Sequence, residues 1–123
     1  MKKYDALSII YPAVENILSG SKKVEIRSWL PPVLPFFNLV LVENLRYLKD
    51  GDEDLSGCAK AMVDVVDYKK WTYEDFLEQP DSVKLGRAWK DGYYIWILDN
   101  IRLIENKNQC LAKKGIYSLE LEI

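Results

Sequence analysis

Ten consecutive residues hold most of the reactive chemistry of this chain. Gly20-Ser21-Lys22-Lys23-Val24-Glu25-Ile26-Arg27-Ser28-Trp29 brings two ammonium groups, a carboxylate, a guanidinium and an indole together. Lys22, at a turn, offers a mobile ammonium to a phosphate or carbonyl oxygen, and Arg27 offers a planar fork for the same acceptors. Glu25 lies two residues from Arg27, on the same face of a strand, where it can orient that fork or accept hydrogen bonds from the edge of a base. Trp29 continues the face and can stack on a base, a contact worth about 1–3 kcal/mol in single-strand binders. A plainer arrangement uses the same residues: Glu25 and Arg27 pair on a solvated sheet face, Lys22 and Lys23 are turn cations, and Trp29 covers the end of the fold. Lys69-Lys70-Trp71 and Lys113-Lys114 read as solvated faces of this kind.

Composition narrows the chemistry further. The chain has no histidine, which removes Ser-His-Asp and Cys-His nucleophile activation and the usual zinc sites. Catalysis, if there is any, falls to Lys, Tyr, Ser, Thr or carboxylates, and neither a metal nor a cofactor is expected. A net charge of −2 and a pI near 5.2 do not favour nucleic-acid binding through the overall field, so any contact with RNA must be local. Cys58 and Cys110 lack CxxC spacing and read as free thiols in a reducing compartment. No apolar run approaches the roughly 18 residues of a membrane span, and the N-terminus does not read as a signal peptide, so the expected location is the cytoplasm, without a membrane. At 123 residues, 49% of them hydrophobic, the chain is expected to form one domain over 1–123.

The elements that must position these groups follow from periodicity. Residues 7–10 form an apolar run, and Val14, Ile17 and Leu18 recur at helical spacing over 13–19 before Gly20, which predicts strand, helix and glycine cap. From Val24 the period changes to two. Pro31, Pro32 and Pro35 make 30–36 an irregular connection, after which 39–42 resume as a buried strand. Residues 49–56 read as a polar loop, and 57–68 as a long half-buried strand with Ala59, Ala61, Val63 and Val65 inward. Thr72-Tyr73-Glu74-Asp75 fits a capping box opening a short helix that ends before Pro80. The charged stretch 81–91 has room for one more helical turn, and 93–98 is a strand rich in aromatic and branched residues. Asp99-Asn100 reads as a turn, followed by strands over 101–104 and 116–123. The expected class is α+β: a small, mixed, closed or nearly closed β-barrel flanked by short helices.

Leu7-Ser8-Ile9, Tyr11-Pro12, Ile17-Leu18-Ser19-Gly20, Lys22 and Val24-Glu25-Ile26-Arg27-Ser28-Trp29 together resemble the opening of ASCH domains, named for activating signal cointegrator homology. The resemblance continues through 57–66, through Tyr94-Ile95-Trp96-Ile97-Leu98-Asp99-Asn100 and through Lys114-Gly115-Ile116-Tyr117, and so spans nearly the whole chain. It implies a PUA-like β-barrel in which the strand carrying Gly20, Lys22, Glu25 and Arg27 lines a cleft for RNA. Enzymes that resemble this group include ribonucleases and amidohydrolases of acetylated cytidine, the latter using a lysine and a threonine spaced GxKxxT. Here the threonine position is Glu25, and a carboxylate cannot replace that hydroxyl as an acyl-accepting nucleophile without changing the mechanism. At Val42-Glu43-Asn44 this chain also lacks a histidine that many relatives of the subgroup carry.

Three functions follow as expectations. The first is a module binding RNA or a modified nucleoside-like small molecule through Ser8, Tyr11, Lys22, Glu25, Arg27, Trp29 and Trp96. The second is a metal-independent hydrolase of RNA or acylated nucleosides, with Lys22 polarising the substrate and Glu25 as general base. The third is a protein-interaction adaptor with a vestigial cleft, in keeping with the acidic pI.

Overall fold

The structure is a computed structural model describing the backbone of residues 1–123 and every side chain except those of Asn106 and Lys107. In chain order its elements are β1 (Lys2–Ile10), α1 (Ala13–Ser19), β2 (Val24–Arg27), β3 (Phe36–Asn44), β4 (Glu53–Lys70), α2 (Tyr73–Glu78), α3 (Asp81–Lys84), β5 (Tyr94–Lys113) and β6 (Ile116–Leu121). Most of the chain is strand with three short helices, an α+β domain as expected.

The strands form one sheet in the order β2-β5-β4-β3-β1-β6. Only β1 and β3 run parallel, with α1 and β2 in the connection between them. The sheet is open at β2 and β6, so the closed barrel expected from the strand density is not formed by hydrogen bonding.

Local chemistry accounts for the elements nearest the reactive segment. In α1, Val14 and Ile17 face the core, and Gly20 ends the helix at φ 85°, its N–H reaching the Ile17 carbonyl at 3.2 Å. Glycine takes this left-handed conformation at little cost. On β4 Ala59, Ala61, Val63 and Val65 are all fully buried, and Asp64 between the last two is buried with them. Ala61, Val63 and Val65 join Leu7, Leu39, Leu41, Trp96 and the inner face of α1 in the core between sheet and helix, whereas Ala59 packs with Ala6, Val40 and Val42 in a second cluster. Gly57 is fixed by space, because a Cβ there would lie 2.7 Å from the Cys110 carbonyl oxygen of the neighbouring strand.

Several boundaries differ from the sequence reading. Asp99-Asn100 is not a turn: β5 passes straight through it as a 20-residue strand. Asn100 instead occupies the left-handed region at φ 49°, where the β4–β5 register shifts between Met62 and Asp64. Asparagine tolerates that conformation in a bulge as readily as in a turn. The polar loop before β4 is shorter than expected because pairing with β5 begins at Glu53. The Thr72 capping box forms as anticipated, with Asp75 as its reciprocal partner.

Candidate functional site

β2 is an edge strand held only by β5. Its register sets Glu25 opposite Trp96 and Arg27 opposite Tyr94, and opposed residues of an antiparallel pair share a face. Trp96 is fully buried, so the Glu25 side chain points into the fold. This corrects the plainer reading of a solvated Glu25–Arg27 face. Trp96 is itself a correction: it is a core residue, not a cleft aromatic, with its indole N–H donating to the Trp29 carbonyl at 3.0 Å.

The polar groups of β2 converge on one carboxylate. Glu25 Oε1 accepts from Lys22 Nζ at 2.9 Å and from its neighbour's backbone, Ile26 N, at 3.3 Å. Its Oε2 accepts from Arg27 Nη2 at 3.2 Å. Lys22 is therefore no mobile turn cation: it is 9% exposed, held between Glu25 and a backbone bond from its own N–H to Asn16 O on α1. Arg27 Nη2 also reaches Ser8 O at 2.8 Å, tying the β2 edge to β1, although these strands do not pair. Burial pushes the Glu25 carboxyl up, but the Lys22 and Arg27 charges and the hydrogen bonds more than reverse this and hold it below the ordinary range.

Lys22, Glu25 and Arg27 line a cavity of about 620 Å3. Ser8 and Trp29 also line it. The Ser8 hydroxyl lies 2.8 Å from the Tyr117 hydroxyl, and burial pushes the Tyr117 phenol up to about 12 despite that bond, so both remain neutral near pH 7. Trp29 packs edge-to-face on Trp96, ring centres 4.8 Å apart, which leaves it half-buried rather than a free stacking platform. Tyr11 is 55% exposed and is not among the residues around the cavity; its N–H donates to Asn44 O. Glu43 pairs with Lys60 at 2.9 Å, whereas its neighbour Asn44 reaches the cavity.

The opposite wall comes from residues 71–93, which the sequence reading gave to short helices and a solvated face rather than to the site. Trp71, Phe76 and Tyr93 supply aromatic surface, and Lys84, Arg87 and Lys90 supply charge. Trp71 is buried at the centre of this wall, edge-to-face with Phe76 and Tyr93, and its backbone N–H bonds Tyr93 O at 2.9 Å. The capping box at Thr72 starts α2 immediately after Trp71 and so turns Phe76 back onto it. Arg46, Lys113 and Lys114 complete the rim, the two lysines lying nearer the site than their reading as solvated cations implied. A spacing of three between Lys84, Arg87 and Lys90 was the available signal; it carried no meaning until the chain was folded over the β2 strand. Among the described residues no helix is long and apolar enough to cross a membrane.

Models of known protein families give no match to this chain, and no curated protein matches it.

Proposed function

We propose that the chain is an ASCH-like, PUA-like domain that binds RNA or a nucleoside-like ligand in the cavity floored by Glu25, acting in the cytoplasm. The observation that carries this reading is the inward-facing ion cluster Lys22–Glu25–Arg27 at the base of a cavity with an aromatic opposite wall. An ion cluster inside a fold is a poor way to gain stability, because removing charges from water costs several kcal/mol per ion before their attraction offsets it. A ligand gives the cluster a purpose: Glu25 Oε2, which accepts only from Arg27 among the described side chains, has room for a donor from a base edge. Trp71, Phe76 and Tyr93 offer surface for the flat body of a base. The Arg27 link from β2 to β1 supports the barrel-like reading, since it joins an edge strand to an inner one across the side where the sheet is open.

The same geometry favours binding over hydrolysis. A general base works best with a pKa near the working pH, and Glu25 is held in the opposite direction by two cations. The test is a nitrogen-15 chemical-shift titration against acetylated cytidine and against a short single-stranded RNA, with product signals followed in the same tube. Shifts clustered on 22–29 and on the facing wall over 71–93, without product, are expected. Product growth would replace the binder with a hydrolase, and no shift with either ligand at millimolar concentration would leave the adaptor.

A further inference from the structure

We infer that the ligand of this cavity is an anion, a nucleotide whose phosphate ester is held by Lys84, Arg87 and Lys90, rather than a neutral nucleoside. The inference rests on the proposed cleft and adds which part of the ligand the far wall reads.

The charge distribution is the first observation. The whole chain carries a net charge of −2, yet among the described residues eight Lys or Arg side chains and a single carboxylate, Glu25, surround this cavity. Five of the eight have carboxylate partners. Lys22 and Arg27 share Glu25, Arg46 pairs with Asp52 and Asp54, Lys113 with Glu53 and Lys114 with Asp50. The remaining three are Lys84, Arg87 and Lys90, for which no carboxylate lies within ion-pair distance among the described residues. They fall together on the one segment that faces the Glu25 floor. Lys84 lies over the Phe76 ring with its ammonium 4.7 Å from the centroid, which fixes a cation directly beside the aromatic surface.

Hydrogen-bonding capacity gives a second, independent observation. Arg27 Nε and Trp71 Nε1 are buried donors without a partner among the described residues, and both belong to side chains around the cavity. Buried polar groups are normally satisfied. The surplus around this cavity is therefore of donors, while its one carboxylate is already engaged by two cations and a backbone N–H. A ligand that balances this surplus must bring acceptor oxygens and negative charge. A phosphate ester does both, and Arg87 can grip it with two parallel N–H groups. A neutral nucleoside would leave the three cations of the far wall without a counter-charge.

Calorimetric titration of the intact chain with cytidine, acetylated cytidine, uridine, adenosine and guanosine, each beside its 5′-monophosphate and a matching dinucleoside monophosphate, tests this directly. The best-bound monophosphate is expected to bind at least about tenfold tighter than its nucleoside at low salt. That advantage is expected to shrink as salt rises, because the cations are near the surface. Arg87→Ala/Lys90→Ala, both exposed positions whose loss leaves the core untouched, should bring the monophosphate down to the affinity of its nucleoside; adding Lys84→Gln extends the test to the half-buried cation. If the dinucleoside shares the advantage, the phosphate is read as a diester of an RNA chain; if only the monophosphate has it, as the terminal monoester of a free nucleotide. Equal affinity for nucleoside and monophosphate would overturn the inference and leave the cleft reading standing. Failure of every nucleoside, nucleotide and short RNA to bind would overturn both.

Discussion

Two buried carboxylates of this molecule are held by similar means and serve different ends. Asp64, on β4, accepts the Asn38 backbone N–H at 3.0 Å and Arg102 Nη2 at 2.9 Å on one oxygen, and the Asn100 amide at 3.1 Å on the other. Two of these donors, Asn38 and Asn100, sit at positive φ, so Asp64 clamps the irregular points of both strands flanking β4. Burial pushes its carboxyl up and these bonds bring it below the ordinary value. Glu25 is depressed as well, but its partners are mainly side-chain cations rather than backbone and amide groups. The second difference is the surroundings. Asp64 itself does not line the cavity of about 610 Å3 that its partners Asn38 and Arg102 border, whereas Glu25 and Arg27 both open onto the aromatic-walled cavity and Arg27 still has a donor to spare. A carboxylate bound to the backbone holds strands in register; one bound to side-chain cations beside a cavity is set up to exchange partners.

The largest effect that could break this contrast is on stability. Asp64→Ala leaves the Asn38 N–H, the Asn100 amide and Arg102 without their common acceptor, and should lower the unfolding free energy by about 3 kcal/mol in urea. Ligand affinity of the remaining folded protein should not move. Glu25→Gln is the reciprocal test. Lys22 and Arg27 then lose their counter-charge, but the glutamine keeps an acceptor oxygen and Arg27 is only half-buried, so the stability loss should be about 1–2 kcal/mol. Nucleotide affinity, read by the same titration, should fall by about tenfold or more as the base-edge acceptor is replaced by an amide. If Glu25→Gln unfolds the chain more than Asp64→Ala does, Glu25 is a structural clamp and the contrast fails.

Acid sensitivity sharpens the same comparison with a smaller effect. Both carboxyls titrate lower in the folded chain than their ordinary values of 4.5 for Glu and 3.8 for Asp. The unfolded chain therefore takes up protons first, and the stability each carboxylate contributes is complete above those values and is lost as the pH falls through the folded ones. Between pH 5 and pH 2 the unfolding free energy should decline, by at most about 1.4 kcal/mol per pH unit for each group. Asp64→Asn and Glu25→Gln should each flatten that decline, and a bound nucleotide should alter only the part that belongs to Glu25. A ligand effect on the Asp64 part would show that the two regions are coupled.

The contrast also explains what the sequence disclosed. Much of what short-range chemistry sets was readable: α1 with its Gly20 cap, the Thr72–Asp75 capping box and the burial of Ala59, Ala61, Val63 and Val65 on β4. The cluster Lys22, Glu25, Arg27 was readable as a group for the same reason, because three residues of spacing place Lys22 and Glu25 within reach of each other. Direction was not readable. Alternation says that Glu25 and Arg27 share a face, but only pairing with β5 decides that the face is inward, and the same pairing removes Trp96 from the cleft. Asp64 passed as one polar residue on a half-buried strand, because its partners lie 26, 36 and 38 residues away. The far wall was hidden likewise: Lys84, Arg87 and Lys90 are surface charges until residues 71–93 fold across from β2.

Asn100 offers the finest test, since the reading of Asp99-Asn100 as a turn and the bulge that stands there rest on one property. At φ 49° a residue with a Cβ is strained, asparagine less than most. Asn100→Gly removes that strain and also removes the amide that reaches Asp64 at 3.1 Å. The two changes oppose each other, and the net shift in unfolding free energy should stay within about 1 kcal/mol. Asn100→Val loses the same bond and puts a branched Cβ at positive φ, so it should cost about 1–2 kcal/mol more than the glycine variant. Equal losses for the two would mean that the Asp64 bond, not the backbone, selects asparagine at the bulge. A larger loss for valine would mean that conformation selects the residue, and that the Asp64 clamp holds a strand bend the backbone already prefers.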